Sequence, residues 1–456
     1  DRQGTGTAEN PFATIQIGIN ASSDGSSVLV GAGTYVENIN YNGKNISILG
    51  ANRETTIIDG DSSGSVVRFE AGEDSTASLS RFTLRNGTGT MINETQSKGG
   101  GITCTGSSPT LTDLKIMNNT ATTWGGGIHC EFTSNPVITD VFIMENSTND
   151  TAWGQGGGLY CWYSAPKLTN VLIANNSSIR GGGVYLGQEG SWAKLTNVTI
   201  TDNNSVYGGG IWLGYLPPGT QPADKPTVLN SIIWNNTPQQ IYYSSDFVSN
   251  EMDISYSSIE GGLDSIVTNN NGTVNWGAGN IDNSPFFCEP DSGDYTLAEN
   301  SSCVGTGEGG ANMGAFGIGC GVINQGLYVP ENFATIQGGI DAAFAGDTVF
   351  VAAGTYVEKI NFNGKNIAVI GAGQDSTIID GNQDSTVVTF SNGEDSSSVI
   401  SGFTIKNGQG RNGGGIHCGN NSSPRIENLV ITNNVADFGG GIQCFNSSPT
   451  IRNVII

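Results

Sequence analysis

Positive charge is scarce in this sequence of 456 residues. Lys and Arg together number 18 against 41 Asp and Glu, which gives a formal net charge of −23 at pH 7. A surface of that sign repels phosphate backbones and anionic lipid headgroups, so we expect no nucleic-acid partner. No apolar run approaches the ~20 residues that a membrane-spanning helix needs, so we expect no direct membrane insertion.

The N-terminal stretch DRQGTGTAEN lacks the charged and apolar regions of a signal peptide. We therefore expect that any such leader has been removed or lies outside this sequence. A low lysine content together with many Ser, Thr, Asn and Gly residues suits a secreted protein. These features predict an extracellular or cell-surface location.

Histidine is nearly absent, and one of the two histidines lies in WGGGIHC (124–130). This stretch raises three possibilities: a metal site, a phosphate-binding loop or a catalytic pair. The residues equivalent to His129 in the other repeats described below are Thr103, Tyr160, Tyr185, Trp212, His417 and Gln443. They supply no shared set of ligands or bases, and no Lys-Ser/Thr pair follows the glycines. We interpret WGGGIHC as structural.

Glycine is abundant, with 68 residues, and its distribution is periodic. GGG followed by an aliphatic residue begins at positions 99, 125, 156, 181 and 208, and again at 413 and 439. The spacings are 26, 31, 25 and 27 residues in the first run and 26 in the second. A period near 26 with one marker per repeat indicates a solenoid, whose repeats bury their core by stacking.

Each repeat contains a short strand in which apolar residues alternate, as in LTDLKI (111–116) and LTNVLI (168–173). The alternation fails at Thr112–Asp113, which predicts a bend there. A column of asparagines follows the strands and is expected to form a hydrogen-bonded amide ladder: Asn119, Asn146, Asn176, Asn203 and Asn236. Short parallel strands with polar corners predict an all-β protein, a right-handed parallel β-helix with coils ~4.8 Å apart.

A larger repeat lies above this one, because residues 12–51 recur as residues 333–372. Each copy opens with a short amphipathic segment, 13–21 or 334–343, that we expect to be a capping helix over the first coil. We predict an N-terminal linker (1–10), a first β-helix (11–320) with an irregular closing tail from about 280, a joint (321–332) and an incomplete second β-helix (333–456). The second copy stops within a repeat, so we expect a longer chain or a polymeric assembly.

The segments TIQ…VFVAAGTYVEKINFNGKNI and GNIDNSPFF…SGDYTLAENSSC…ANMGAFG carry a family resemblance over almost the whole chain. The sequence resembles the pectate-lyase-like β-helix superfamily and is closest to multi-copy secreted bacterial surface proteins. Its GGGI repeats are also similar to those of chlamydial polymorphic outer-membrane adhesins. This resemblance implies the fold, but the superfamily includes lyases, hydrolases, adhesins and structural proteins.

Two groups of residues are candidate sites. Aromatic residues should line one outward face and could bind glycans, or could simply stabilise the sheet: Tyr160, Trp162, Tyr185 and Trp212. Asp113 and Asp140 share a corner and could bind Ca²⁺ or remain solvated. No cofactor is required by either interpretation. The proline-rich stretch 215–226 could form a groove wall over the aromatic face.

The cysteines of the repeats share positions with leucine, so we expect free thiols in the core. In the closing tail, Cys288–Cys303 is the favoured disulfide and Cys320 is the remaining thiol. The superfamily enzymes use clusters of acidic residues with basic partners, and the sequence contains no such cluster. We therefore expect a non-catalytic rod that binds extracellular polysaccharide or other copies of a surface protein. The alternative is a polysaccharide lyase or a glycoside hydrolase.

Overall fold

The computed structural model describes residues 4–187, 191–214, 225–245, 250–323, 326–331 and 333–456. The chain divides into two compact units, Asp1–Gly321 and Val322–Ile456. Each unit is described by itself below. Within the described ranges, no helix is both long enough and apolar enough to cross a membrane.

A short α-helix opens each unit, α1 (Ile15–Ala21) in the first and α2 (Ile336–Ala342) in the second. The hydroxyl of Thr14 accepts a hydrogen bond from the backbone N–H of Ile17 and caps the start of α1. Ile15 and Ile19 are buried in the core of the first unit, so α1 covers the first coil. The predicted capping helices are confirmed, each beginning two residues later than expected.

Two charged side chains fix α1 at its ends. The carboxylate of Glu37 accepts hydrogen bonds from the first backbone N–H groups of the helix, at 2.8 and 3.0 Å. The ammonium of Lys44 donates to three carbonyl oxygens at the other end, at 2.7–2.8 Å. Negative charge at the N-terminus and positive charge at the C-terminus both match the helix dipole. Glu358 and Lys365 make the same contacts with α2.

The rest of the first unit is built from short strands. In chain order its described strands are β1 (Ser27–Val30), β2 (Gly33–Val36), β3 (Ile39–Asn40), β4 (Ser47–Gly50), β5 (Thr56–Asp59), β6 (Val67–Phe69), β7 (Ser78–Arg85), β8 (Thr90–Met91), β9 (Ser97–Lys98), β10 (Ile102–Thr105), β11 (Thr110–Met117), β12 (Thr120–Ala121), β13 (Ile128–Glu131), β14 (Val137–Thr139) and β15 (Phe142–Met144). They continue as β16 (Ser147–Thr148), β17 (Leu159–Trp162), β18 (Lys167–Ala174), β19 (Val184–Leu186), β20 (Lys194–Thr201), β21 (Ile211–Leu213), β22 (Thr227–Leu229), β23 (Ile232–Trp234), β24 (Ile241–Tyr243), β25 (Asn250–Ser255), β26 (Ser258–Ile259), β27 (Gly272–Trp276), β28 (Phe287–Glu289), β29 (Asp294–Ala298) and β30 (Ile318–Cys320). Short 3-10 turns occupy Leu263–Ser265, Pro290–Ser292 and Glu308–Gly310.

Most of these strands form two large parallel sheets, and the rest form three small ones. The first sheet has 15 described strands. Ten follow the order β1-β4-β7-β11-β14-β18-β20-β22-β25-β27, and the other five, β2, β5, β15, β23 and β26, pair beside this path. The second has eight, in the order β24-β21-β19-β17-β13-β10-β6-β3. Equivalent residues of successive coils face each other in register, for example Ile102, Ile128 and Leu159. This register is the stacked-coil arrangement of a parallel β-helix.

The second unit repeats this architecture on its own. Its described strands are β31 (Gly326–Val329), β32 (Thr348–Val351), β33 (Gly354–Val357), β34 (Ile360–Asn361), β35 (Ala368–Gly371), β36 (Thr377–Asp380), β37 (Val388–Phe390), β38 (Val399–Ser401), β39 (Thr404–Lys406), β40 (Gln409–Asn412), β41 (Ile416–Cys418), β42 (Arg425–Thr432), β43 (Val435–Phe438), β44 (Ile442–Cys444) and β45 (Thr450–Ile455). The larger sheet has nine strands and the next has four. Strand β31 lies inside the expected joint 321–332 and pairs with β32, so part of that segment belongs to the second unit.

The bend predicted at Thr112–Asp113 is confirmed, and it explains a column of Asp and Asn residues. Asp113, Asp140, Asn170 and Asn197 all have φ between 53° and 56°. This left-handed conformation is tolerated best by glycine, Asn and Asp. The bend lets each long strand turn a corner while both of its halves stay paired with the neighbouring coils.

The cysteines follow the predictions in the coils but not in the closing tail. Cys104, Cys130, Cys161 and Cys418 are buried free thiols, whereas Cys444 in the last described coil is exposed. The expected Cys288–Cys303 pairing is wrong: the disulfide joins Cys288 to Cys320.

The fold of the tail explains this pairing. Strand β29 pairs with both β28 and β30, which carry the two bonded cysteines. Cys303 instead packs among Ile232, Leu297 and Met313.

Candidate ligand-binding pocket

The asparagine column forms a continuous ladder in the first unit. The side-chain N–H of Asn119, Asn146, Asn176 and Asn203 each donates to the side-chain oxygen of the next asparagine, at 2.9–3.1 Å. Asn236 ends the column by donating to Gln240 at 2.7 Å. All five asparagines are buried. The ladder holds the coils together at one corner and presents no group to a ligand.

The four aromatic candidates do not form an exposed face. Tyr160, Tyr185 and Trp212 are only 3%, 4% and 8% exposed. Their rings stack on one another, with centroids 5.0 and 4.4 Å apart and planes within 10° of parallel. The expectation that this column offers ring faces to a ligand is therefore wrong, because neighbouring rings already cover those faces. Of the four, Tyr160 and Trp162 line an open pocket, whereas Tyr185 and Trp212 do not belong to its described lining.

His129 continues the same stack beneath Tyr160. Its ring lies 5.0 Å from the Tyr160 ring at an interplanar angle of 6°, and its side chain is 1% exposed. Neither ring nitrogen has a hydrogen-bond partner among the described residues. Burial, with a smaller contribution from the charge of Lys98, lowers the pKa of His129 well below its usual 6.5. His129 is therefore neutral at pH 7 and acts as a packing residue.

A pocket of about 370 Å³ opens above this stack, between two further columns of side chains. One column precedes the glycine triplets, where Lys98, Trp124, Gln155 and Arg180 are bridged coil to coil. The other follows the stacked rings and contains Thr105, Glu131 and Trp162 in register. The pocket lining comprises Gln96, Trp124, Glu131, Trp153, Gln155, Tyr160 and Trp162.

The glycine triplets bring the two columns together over the stack. Gly125 has a φ of +67°, and a side chain on it would lie 2.6 Å from the carbonyl oxygen of Ile128. A side chain on Gly126 would lie 2.4 Å from the carbonyl oxygen of Ser147. Glycine is therefore required for this tight corner, as the structural interpretation of WGGGIHC predicted.

Trp153 reaches the pocket from a loop. The repeat that contains it is the longest, with 31 residues between glycine triplets. The carboxylate of Asp150 accepts hydrogen bonds from the backbone N–H groups of Ala152 and Trp153, at 2.8 and 3.0 Å. This turn leaves Trp153 61% exposed, while the guanidinium of Arg180 lies 5.4 Å from its ring centroid. The extra residues of this repeat thus present an indole at the pocket rim.

Glu131 is the charged residue among the described lining residues. One of its carboxylate oxygens, Oε1, accepts hydrogen bonds from the ammonium of Lys98 and, at 3.1 Å, from the hydroxyl of Thr105. The other oxygen, Oε2, lies 3.8 Å from Nε2 of His129. No described donor reaches Oε2 within hydrogen-bonding distance, so it is available to a ligand.

Asp113 and Asp140 lie on the other large sheet, where an arginine already approaches them. A guanidinium nitrogen of Arg53 lies 2.9 Å from Asp113, and the same nitrogen donates to the backbone carbonyl of Asp140 at 3.4 Å. The side chain of Asp140 accepts from Asn170 at 3.0 Å. Among the described residues, no group of three or more His, Cys, Asp or Glu side chains is arranged to hold a metal ion.

Some residues of the pocket and of the core could not be found by sequence analysis. Trp124 and Trp153 were visible as aromatic residues beside the glycines, but Glu131 carried no signal because its partner Lys98 lies 33 residues earlier. A further case is the pair of acids Glu73–Asp74, which the sequence pattern alone predicts to be charges of an exposed loop. Glu73 is in fact 1% exposed and accepts hydrogen bonds from Gly43, Ala71 and Ser107. Residues 215–224 of the expected groove wall lie outside the described residues.

Residues 33–217 match the model of the family described as "Right handed beta helix region". This segment is a right-handed β-helix. It contains the whole pocket and all of the asparagine ladder except Asn236. The predicted fold class, a right-handed parallel β-helix, is therefore confirmed. No curated protein matches the sequence.

Two solved structures illustrate the neighbours of this β-helix. A pectin methylesterase in complex with a hexasaccharide is 13% identical, with a TM-score of 0.29, over 59% of this chain and 79% of that one. The PL6 family alginate lyase AlyGC is 11% identical, with a TM-score of 0.23, over 95% of this chain and 79% of that one. At these values the similarity carries no information about activity.

Proposed function

We propose that this protein is a non-catalytic, extracellular or cell-surface β-helix that binds glycans at the tryptophan pocket of its first unit. The pocket itself is the observation that carries this proposal. The indoles of Trp124, Trp153 and Trp162 border it, and the amides of Gln96 and Gln155 lie among them. Sugar rings stack on aromatic faces through their C–H groups, while their hydroxyl groups need nearby hydrogen-bond partners.

The site differs from the stacked column that the sequence suggested. Buried rings such as Tyr185 stabilise the sheet, and their neighbours at the surface contact the ligand. Glycan binding by a single small pocket is weak, and a surface protein gains affinity when several sites engage one polymer. A rigid β-helix suits that role because it holds the pocket in a fixed orientation.

A polysaccharide lyase or glycoside hydrolase is the alternative. The observation that favours this alternative is that a carboxylate, that of Glu131, lines the pocket. Glycoside hydrolysis ordinarily uses two carboxyl groups about 5–10 Å apart on either side of the scissile bond. The described lining supplies only one of these two carboxyl groups, that of Glu131, and Lys98 is already hydrogen-bonded to it. We therefore favour binding over cleavage.

Calorimetric titration with oligosaccharides tests the proposal. We expect at least one neutral oligosaccharide to bind, and Trp153→Ala to weaken it about tenfold by removing an exposed indole. Phe438→Ala is the matched control, since Phe438 also precedes a glycine triplet and is 56% exposed but belongs to the second unit. Equal affinity of wild type and Trp153→Ala would place the glycan elsewhere, and no binding to a broad panel would contradict the proposal.

A further inference from the structure

The tryptophan pocket combines aromatic walls with an available carboxylate oxygen, and this combination restricts its ligand. Glu131 keeps Oε1 for Lys98 and Thr105, whereas Oε2 accepts no hydrogen bond from a described residue. The side chains of Lys98 and Glu131 are only 14% and 15% exposed. A donor on the ligand therefore meets an oriented, partly desolvated acceptor, which strengthens a charge-assisted hydrogen bond.

The rings around Glu131 favour a positively charged ligand group. Aromatic faces attract ammonium groups by about 0.5–2 kcal/mol, and indole is the most effective ring. The structure already contains one such contact, because the guanidinium of Arg180 lies 5.4 Å from the ring centroid of Trp153. Among the described residues, no cation lies over the ring of Trp124 or Trp162, and both indoles are half-buried at the pocket.

Glu131 and the net charge of the chain favour an ammonium, whereas the cations at the edge of the pocket, Lys98 and Arg180, are each held by a protein partner. The ammonium of Lys98 donates to Oε1 of Glu131, and Lys98 is not among the described residues that line the pocket. A ligand in the pocket therefore meets Oε2 of Glu131. The chain as a whole has a formal net charge of −23, which attracts cationic ligands and repels polyuronates. A carboxylate on the sugar would face Glu131 with like charge, whereas an ammonium would complement it.

We infer that the pocket binds sugars that carry a free amino group, with the ammonium lying between Oε2 of Glu131 and the surrounding indoles. This inference rests on the proposed glycan-binding function and specifies its ligand class. An N-acetylated sugar keeps a hydrogen-bond donor but lacks the charge. A neutral sugar can stack on the indoles but gains no ionic contact.

Titration with four matched tetrasaccharides tests this specificity: a glucosamine tetramer, its N-acetylated form, a glucose tetramer and a galacturonate tetramer. We expect the glucosamine tetramer to bind about tenfold more tightly than the glucose tetramer and the galacturonate tetramer to bind most weakly. Glu131→Gln should bring the first ratio close to one, because the amide keeps the shape of the side chain and removes its charge. Higher salt should reduce the ratio as well.

Two controls separate a specific site from general attraction to an acidic protein. Glu299→Gln removes one exposed charge from the same unit and should leave the ratio unchanged. Raising the pH until the amino sugar is neutral should remove the preference of the wild-type protein for the glucosamine tetramer over the glucose tetramer. This measurement needs no variant, so it tests the inference even if Glu131→Gln does not fold. Equal binding of the glucosamine and glucose tetramers, or tighter binding of the N-acetylated form, would overturn the inference alone. Absence of binding by all four and by every other glycan tested would overturn the proposed function as well.

Discussion

The imidazole ring of His129 stacks on the phenol ring of Tyr160, with ring centroids 5.0 Å apart and planes 6° from parallel. The charged groups that face this imidazole are Lys98 and Glu131. Burial and the charge of Lys98 lower the pKa of His129, so the unfolded chain binds a proton more readily than the folded chain does. The stability that depends on neutral His129 is therefore present above pH ~6.5 and is lost as the pH falls below it, by at most about 1.4 kcal/mol per pH unit.

Replacement of His129 by phenylalanine tests this dependence, because the ring can still stack but cannot be protonated. Urea denaturation at pH 7.5 and pH 5.5 should show a smaller loss of stability for His129→Phe than for the wild type. His417→Phe, in the equivalent repeat position of the second unit, is the control. An identical pH dependence in His129→Phe and wild type would contradict the assignment.

The asparagine ladder predicts a large effect at its centre. Asn176→Leu should lower the free energy of unfolding by about 3 kcal/mol, because the change removes the partners of buried groups on both neighbouring coils. These partners are Asn146, Asn203 and the carbonyl of Ile143, at 2.9–3.0 Å. Asn149→Leu, on the exposed surface of the preceding coil, should change the stability by less than about 0.5 kcal/mol. Similar losses of stability for the two variants would show that an asparagine in the ladder contributes no more than an exposed asparagine does.

Glu394 predicts a loss of stability in acid for the second unit. Burial raises the pKa of this carboxyl, but hydrogen bonds from Ser422 and from the backbone of Asn392 and Gly364 outweigh burial and lower the pKa below 4.5. The folded state therefore releases the proton more readily, so this contribution is present above pH ~4.5 and disappears as the pH falls through the folded pKa.

Glu394→Gln should cost about 1–3 kcal/mol at pH 7, because an amide N–H₂ group then faces backbone donors. The difference from wild type should shrink as the pH falls through the folded pKa of Glu394, because the wild-type carboxyl then becomes protonated as well. Asp375→Asn, at an exposed position of the same unit, is the control. A difference that stays constant from pH 7 down to the onset of acid unfolding would contradict a role for the ionised carboxylate.

The corner at Asp113 tests the calcium hypothesis. Because the guanidinium of Arg53 lies 2.9 Å from this carboxylate, millimolar Ca²⁺ should leave the melting temperature of the wild type unchanged. Arg53→Met removes that cation, and only this variant should respond to Ca²⁺. A rise in the wild-type melting temperature that EGTA reverses would establish a calcium site instead.

Much of the fold could be predicted because the repeats place equivalent residues in register. The periodic pattern of the repeats places Asn146 at a corner, Asp140 at a bend and Cys130 in the core. The surroundings of Tyr185 could not be predicted in this way, because its burial depends on flanking columns that cover it from the sides. Nor could the Cys288–Cys320 disulfide, which depends on the irregular tail and follows no repeat.

Size-exclusion chromatography of fluorescently labelled polysaccharides, incubated with the purified protein and Ca²⁺, tests the central claim most directly. A non-catalytic glycan-binding β-helix should elute together with intact polymer at a larger apparent size. Trp153→Ala should reduce this shift, and Phe438→Ala should preserve it. Shorter products would show that the protein cleaves its ligand, and the absence of any shift across amino, neutral and acidic polymers would contradict glycan binding.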